Sequence, residues 1–225
     1  MDIGKEIKFY QTTAGKHKAR LVAVSKTKPS ELVLEAYNAG QRIFGENKAQ
    51  ELKEKAINLP DDIEWHMIGH LQTNKVKYVA PYVSLIHSVD SIKLLTEINK
   101  QASKNERIID VLLQIYIAEE DSKFGIKVSQ LNDFIIETIK KSFTNVRIVG
   151  LMGMATNTDN DTSIYNEFSA LEKTFKDTKN KFTEELPYFT ELSTGMSSDY
   201  QIALQTSSTM IRIGSSIFGK RDINI

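Results

Sequence analysis

The chain has 225 residues, of which 29 are basic, 29 are acidic and none is cysteine, and its formal net charge is zero. This balance offers no field that would hold a polyanion or an anionic membrane surface, so we expect neither nucleic acid nor membrane as a partner. The lack of cysteine excludes a disulfide scaffold, a thiolate metal site and a cysteine nucleophile. The opening residues MDIGKEIKFYQ do not resemble a signal peptide, and no run approaches the roughly 18 apolar residues of a membrane span, which predicts a cytoplasmic protein.

Short β-branched or apolar runs alternate with helix-like stretches along the chain, a pattern typical of parallel βα units. The runs predict eight strands, at residues 20–25, 41–44, 64–68, 83–87, 108–117, 146–152, 188–192 and 209–213. Helices are predicted at 30–38, 48–57, 91–103, 129–140 and 163–181, the first with Ser30 as its cap. The polar tract 156–162 is interpreted as one exposed loop.

Eight strands with intervening helices favour closure into a (β/α)8 TIM barrel, and an open doubly wound sheet is the alternative. The length is close to the roughly 250 residues of one such barrel, and no Pro/Gly/Ser-rich linker divides the chain. We therefore interpret residues 1–225 as a single domain. The active site of a barrel lies at the carboxyl ends of its strands, so polar residues that close an apolar run are the candidates for function.

Lys26 closes the first predicted strand, in the segment LVAVSK. Because side chains alternate along a strand, Val22, Val24 and Lys26 share one face, and the lysine points into the barrel if the valines do. An ammonium placed there is desolvated, which lowers its pKa and leaves a neutral amine that can attack an aldehyde. The alternative is an exposed lysine at a strand end, the environment that we predict for Lys28.

Two turns rich in serine and glycine follow the last two predicted strands, LSTGMSSD at 192–199 and IRIGSS at 211–216. Phosphate sites in barrels are commonly built from these two loops, because hydroxyls, glycines and free backbone N–H groups suit a phosphate. Turns that merely cap helices are the alternative. Arg212 shares a strand face with Met210, which places its guanidinium inside the barrel mouth. A buried arginine needs a partner, either a carboxylate such as Asp199 or Asp222 or a group of a bound ligand.

The segment WHMIGH carries His66 and His70 four residues apart, a spacing that suits a metal when both rings lie on one face of a helix. Here the segment is predicted as a strand followed by a turn, so the rings should not converge. No suitably placed carboxylate completes a zinc site, and we expect no metal. His66 is expected to line the barrel mouth or to satisfy a backbone group.

Ordered segments that cover nearly the whole chain carry a family resemblance. They are LVAVSKTKP (21–29), FGENKAQE (44–51), WHMIGHLQTNK (65–75), HSVDS (87–91), DSKFGI (121–126), GLMGMAT (150–156) and LSTGMSSDYQIAL with SSTMIRIGSSIFGKRD (192–222). Together they resemble the pyridoxal phosphate homeostasis protein family. The resemblance implies a (β/α)8 barrel similar to the N-terminal domain of alanine racemase, with pyridoxal 5'-phosphate (PLP) bound as an internal aldimine.

The same resemblance implies roles for individual residues. Lys26 matches the Schiff-base lysine, Asn47 is expected near the cofactor ring, and Arg212 resembles the arginine that faces the pyridine nitrogen in alanine racemase. Arginine only donates hydrogen bonds, so it would keep that nitrogen unprotonated and make the ring a weaker electron sink than an aspartate would. The residues that match the phosphate cup are Ser193, Thr194, Gly195, Gly214 and Ser215.

The resemblance implies a carrier and regulator of PLP in vitamin B6 homeostasis, without an established enzymatic activity, that supplies PLP-dependent apoenzymes. Racemisation needs a base on each face of the cofactor, and the second base of alanine racemase comes from a β domain that we do not expect after Ile225. A PLP-dependent amino-acid racemase and a cofactor-free Schiff-base aldolase are the alternatives. We expect a monomer. Lys123, after the fifth predicted strand, is a candidate second docking point for PLP.

Overall fold

Parallel strands joined by helices make up the structure, a computed structural model that describes residues 2–118 and 124–219. The strands are β1 (Arg20–Val24), β2 (Ile43–Glu46), β3 (Glu64–Met67), β4 (Val83–Val89), β5 (Ile109–Tyr116), β6 (Ile126–Lys127), β7 (Val146–Met152), β8 (Glu191–Ser193) and β9 (Met210–Ile213). The helices are α1 (Ile3–Lys16), α2 (Ser30–Asn38), α3 (Ala49–Asn58), α4 (Val76–Val79), α5 (Ile92–Lys104), α6 (Val128–Lys141), α7 (Asp161–Lys181), α8 (Tyr200–Gln205) and α9 (Ser215–Phe218).

Eight of these strands close into a parallel barrel, in the order β1, β2, β3, β4, β5, β7, β8, β9 and back to β1. Closure depends on the pairing of β4 with β5 and of β9 with β1. Among the described strands, the short β6 pairs only with the carboxyl end of β5. The prediction of a (β/α)8 barrel is confirmed, and the open doubly wound sheet is wrong because an open sheet would leave two unpaired edges.

Alternate residues of each strand face two separate apolar layers. The barrel interior is filled by one cluster of buried side chains, Val22, Leu85, Leu112, Val149, Met152 and Met210. Their strand neighbours, such as Ala23 and Ile211, pack outward under the helices in a larger cluster. Each aliphatic side chain removed from water in these layers contributes roughly 1.5–3 kcal/mol. Val22 belongs to the interior cluster, which confirms that its side chain points into the barrel.

Helix α1 covers the outside of β1 and was not predicted from the sequence. The Asp2 side chain caps its first turn by accepting the Lys5 N–H at 2.9 Å. Its buried face recurs at helical spacing, with Ile3, Ile7, Tyr10 and Ala14. The Tyr10 ring meets the Tyr200 ring of α8 edge-on at 5.3 Å. This helix thus packs against an element that flanks the C-terminal turns.

Several sequence-based boundaries need correction, and the strand predicted at 41–44, for example, lies at Ile43–Glu46. Ser30 is the first helical residue of α2, and the cap position belongs to Pro29, which has no side chain to accept a hydrogen bond. The strand predicted at 188–192 lies at Glu191–Ser193, because Tyr188 is in an exposed turn. The polar tract ends inside α7, where Asn160 caps the helix.

Within the described ranges, no helix combines the length and apolar character needed to cross a membrane.

Candidate functional site

A cavity of about 380 Å³ opens at the carboxyl ends of the barrel strands. Residues at or just beyond the carboxyl ends of β1, β2, β3, β7, β8 and β9 line it, and they include Lys26, Asn47, Arg212, Gly214 and Ser215. The volume lies within the range of ordinary ligand pockets. The location is also the one where barrel enzymes carry their active sites. This cavity is therefore the candidate site, and it brings together five of the eight residues that the sequence singled out.

Lys26 lies two residues after the end of β1 and is half-buried in the cavity wall. Its direction follows from strand alternation, because Val22 lies in the interior cluster and Val24 lines the cavity. The next residue, Thr27, has a φ of 63°, a left-handed conformation that β-branched residues rarely adopt. The chain therefore turns away immediately after the lysine, and its amine is positioned by a rigid strand end.

A buried charged group, which we call the Lys55 cluster, lies behind this turn and consists of Ser25, Glu46, Glu51 and Lys55. The Lys55 Nζ donates to the Ser25 carbonyl, to Glu46 Oε1 and to Glu51 Oε1, each at 2.8 Å. Ser25 Oγ donates to Glu46 Oε1 at 2.6 Å, and the Thr27 N–H donates to Glu51 Oε1 at 2.6 Å. The cluster thus holds the backbone on both sides of position 26.

Glu46 is fully buried, and within the described ranges its Oε2 has no hydrogen-bond partner. Burial raises the pKa of Glu46 to about 7, although the charge and hydrogen bond of Lys55 lower it. Sequence reasoning missed this cluster. The available signal was Glu46 itself, because alternation puts it on the same outward face as Phe44, beneath a helix, where a carboxylate needs a cation.

Arg212 lies in the cavity at the end of β9 and is 5 % exposed. Its Nη1 donates to Ser193 Oγ at 2.6 Å, and its Nη2 donates to the Gly153 carbonyl at 3.2 Å. Burial lowers the pKa of Arg212 to about 10, an effect that the Asp199 carboxylate opposes. The guanidinium therefore stays charged at neutral pH. Asp222, the other carboxylate considered as its partner, lies outside the described residues.

Two turns meet at one side of the cavity, one after β8 and one after β9. The Gly214 N–H donates to Ser197 Oγ at 3.4 Å, and both residues line the cavity together with Ser198 and Ser215. A Cβ on Gly214 would lie 3.1 Å from the Val24 carbonyl oxygen, so glycine permits this close approach of β9 to β1. Hydroxyls and backbone N–H groups in this arrangement suit an anion.

Ser193, Thr194 and Gly195 are not among the residues that line the cavity. Ser193 is the fully buried last residue of β8, and Thr194 is equally buried, with an Oγ1 that has no partner among the described residues. Gly195 has a φ of 85°, and a Cβ there would lie 2.6 Å from the Ala203 Cβ. The first residue of this turn to reach the cavity is Met196.

The structure corrects the expectation for Lys28, which is half-buried and lines the same cavity as Lys26. The left-handed turn at Thr27 brings the two lysines to one side of the chain. Sequence reasoning also missed Ser197 and Ser198, although they belong to the LSTGMSSD motif that it singled out. Lys123 lies outside the described residues.

His66 and His70 have different surroundings, which confirms that their rings do not converge. His66 Nδ1 lies 3.0 Å from His87 Nε2, whereas the His70 ring stacks on the Phe124 ring at 4.2 Å. His66 lines a second cavity, at the amino ends of the strands and not at the mouth. Across residues 2–118 and 124–219, no group of three or more potential ligands is placed to hold a metal.

Comparisons with known proteins agree with this geometry. Residues 3–222 match the family model described as alanine racemase, N-terminal domain. The fold and the site thus define a parallel barrel of the type found in the N-terminal domain of alanine racemase. With relatives at the identities given below, the chain belongs to the pyridoxal phosphate homeostasis protein family.

Three relatives illustrate the match. The pyridoxal phosphate homeostasis protein of Aquifex aeolicus is 38 % identical over 208 residues, covering 92 % of this chain and 89 % of that protein. The human protein is 40 % identical over 213 residues, covering 90 % and 77 %. The structure of PipY from Synechococcus elongatus with PLP bound has a TM-score of 0.85 and 31 % identity, covering 96 % of this chain and all of that one.

Proposed function

We propose that this protein binds PLP in the cavity at the carboxyl ends of the strands and holds it as a Schiff base on Lys26. The observation that carries the proposal is the placement of Lys26 and the buried Arg212 on the walls of one cavity. The amine suits the aldehyde of the cofactor, with which it forms an imine and releases water. The guanidinium of Arg212 is then available to bind the ring nitrogen, and the two C-terminal turns are available to bind the phosphate.

Arg212 is the group proposed to face the pyridine nitrogen, with Asn47 beside the ring. Two of the guanidinium donors are already used by Ser193 and Gly153, which fixes the plane of the group. Since arginine has no acceptor and stays charged, it can only donate to the ring nitrogen. The ring would then withdraw electrons more weakly than it would beside an aspartate.

The phosphate is proposed to lie between the two C-terminal turns. Gly214 and Ser215 keep the role that the family resemblance implied, and Ser197 and Ser198 join them, because all four line the cavity. Ser193, Thr194 and Gly195 are proposed to support this cup from the protein side. A helix as short as α9 adds little dipole, so hydroxyls and backbone N–H groups supply the main binding.

The physiological role proposed is that of a carrier, which binds PLP reversibly and delivers it to PLP-dependent apoenzymes. The family membership supports this role. A PLP-dependent racemase is the competing function. It requires a second base on the opposite face of the cofactor, and it would exchange the α-proton of an amino acid with solvent.

The covalent bond is tested by visible absorbance and by borohydride reduction of the protein loaded with PLP. We expect the absorbance band of the Schiff base in wild type and in Lys28→Ala, and its loss in Lys26→Ala. After reduction, peptide mass spectrometry should find the pyridoxyl group on Lys26. A band that survives Lys26→Ala but disappears in Lys28→Ala would move the bond to the second lysine of the cavity.

The carrier role is tested by incubating the loaded protein with L-amino acids in deuterated water. We expect no α-proton exchange at turnover rates, while PLP transfer restores activity to an added apoenzyme. Exchange at turnover rates would replace the carrier with the racemase. Failure of transfer without exchange would refute delivery and leave only binding.

A further inference from the structure

A row of polar side chains crosses the interior of the otherwise apolar barrel. We call Arg212, Ser193, His87 and His66 the interior row. Arg212 Nη1 lies 2.6 Å from Ser193 Oγ, Ser193 Oγ lies 3.0 Å from His87 Nδ1, and His87 Nε2 lies 3.0 Å from His66 Nδ1. All four residues are buried, and each comes from a different strand, β9, β8, β4 and β3.

The chemistry of the first member fixes the first hydrogen bond and favours one direction for the two that follow. A guanidinium only donates, so Ser193 Oγ accepts from Arg212 and its own proton is available for His87 Nδ1. His87 then carries its proton on Nε2 and donates it to His66 Nδ1. His66 must in turn be protonated on Nε2. The opposite arrangement would leave the Ser193 hydroxyl proton without an acceptor in the row.

Both rings of the row are neutral. Burial lowers the pKa of His66 to about 3, and the charge of Arg20 lowers it further. Burial also lowers the pKa of His87 well below 6.5, and the charges of Arg212 and Arg20 act in the same direction. A protonated His87 would also carry a proton on Nδ1. That nitrogen could then no longer accept the hydroxyl proton of Ser193. His66 borders a cavity of about 300 Å³ at the amino ends of the strands, where solvent can accept the last proton.

We propose that Ser193, His87 and His66 are positioning residues that orient Arg212 toward the ring nitrogen of PLP. None of the three lines the cofactor cavity, so they act through Arg212 and not on the cofactor. A guanidinium whose Nη1 lost its acceptor would rotate or recruit another partner, because an unpaired buried donor is costly. This inference rests on the proposed binding of PLP, and it assigns Ser193 a role different from the phosphate cup.

The row itself is tested in the protein without PLP, by NMR of a sample labelled with 15N-histidine. We expect His66 and His87 to give the signals of neutral rings protonated on Nε2, unchanged between pH 5 and pH 8. In Ser193→Ala, the His87 signal should change because its partner at Nδ1 is gone. A His87 ring protonated on Nδ1 in wild type would overturn the proposed direction of the row.

The effect on the cofactor is tested with two pairs of variants. Ser193→Ala and His87→Leu break the row next to Arg212, and we expect each to raise the PLP dissociation constant about tenfold and to shift the pH midpoint of the visible band. His87→Asn keeps an acceptor near the Nδ1 position and should restore values close to wild type. Ser208→Ala is the matched control, because it removes a buried hydroxyl whose hydrogen bonds among the described residues are to backbone groups.

The outcomes separate this inference from the proposed function. If Ser193→Ala and His87→Leu bind PLP with the affinity and spectrum of wild type, the row does not position Arg212 and the inference is refuted. If wild type itself fails to bind PLP, the proposed function fails, while the NMR experiment still decides the direction of the row. Thermal unfolding of each variant shows whether it is folded. If Ser193→Ala is not folded, the comparison of His87→Leu with His87→Asn tests the inference.

Discussion

Lys55 carries the positive charge that two carboxylates share behind the turn at Thr27. Its side chain is 5 % exposed, and its Nζ lies 2.8 Å from both Glu46 and Glu51. A buried ion pair contributes little net stability relative to an apolar pair, but removing one partner leaves an uncompensated charge. The cluster therefore matters more for the position of the turn beside Lys26 than for the overall stability of the fold.

Replacing Lys55 should destabilise the protein in a pH-dependent way. We expect Lys55→Met to lower the free energy of unfolding by about 3 kcal/mol at pH 8. Without the ammonium, the pKa of Glu46 in the folded protein rises further above its value in the unfolded chain. An acid with a raised folded pKa loses stability as pH rises from the unfolded to the folded value. The deficit, measured by urea unfolding, should thus be smaller at pH 5 than at pH 8.

Lys53→Met is the matched control for this prediction. Lys53 lies on the same helix, α3, and its ammonium is 5.8 Å from the centre of the Tyr78 ring. Replacing a surface cation of this kind changes the free energy of unfolding by no more than about 0.5 kcal/mol. Equal losses at pH 5 and pH 8 in Lys55→Met would show that the lysine does not balance the ionised form of Glu46.

At the scale of single residues, period-two alternation was the reliable guide. It predicted that Arg212 faces inward and that Lys26 does so if Val22 and Val24 do, and both residues line the cavity. It was not sufficient for Ser193. Strand β8 ends at Ser193, one residue later than predicted. Ser193 is therefore a strand residue inside the barrel and not a loop residue at its mouth.

The contact between β7 and β8 depends on one glycine. Gly150 lies opposite Glu191 in the pairing of these strands, and a Cβ on Gly150 would overlap the Glu191 carbonyl oxygen. The pairing of β7 with β5 also shifts register just before this position, between Val111 and Leu112. Strand irregularity and close backbone approach thus coincide at a position where no side chain fits.

Gly150→Ala should therefore be strongly destabilising. We expect a loss of about 3 kcal/mol in the free energy of unfolding, because the clash is with backbone and not with a flexible side chain. Gly15→Ala is the control, since Gly15 is exposed in α1 and a Cβ there meets nothing within 4 Å. It should raise stability by about 0.5 kcal/mol through helix propensity. Urea unfolding of both variants measures the contrast, and similar stabilities would contradict it.

At the scale of elements, long periodic segments were predictable and short ones were not. The strand at Val146–Met152 and the helix at Ser30–Asn38 have the bounds that their apolar patterns predicted. The short α4, α8 and α9 show too few residues for a helical period to be recognised. Helix α1 is an exception, because it was missed although Ile3, Ile7, Tyr10 and Ala14 recur at helical spacing and made it recognisable from the sequence.

For the whole molecule, the proposed function predicts a ligand-dependent unfolding temperature. A ligand that binds only the folded state at 100 times its dissociation constant adds about 2.7 kcal/mol, which corresponds to roughly 5–10 °C for a chain of this size. We expect PLP to raise the unfolding temperature of wild type by this amount and that of Lys26→Ala by clearly less. Differential scanning calorimetry measures both, and equal shifts would argue against a covalent bond to Lys26.

The sequence by itself determined the alternation of strands and helices. The same alternation favoured a barrel over an open sheet and an inward face for Lys26 and Arg212, because these patterns lie among near neighbours in the chain. Only the tertiary structure decided how the barrel closes, through β4 with β5 and β9 with β1. Closure also brings Ser193 against His87 across 106 residues of sequence, and it selects which turn residues line the cavity. These features depend on strand register and on where each strand ends, which no local pattern specifies.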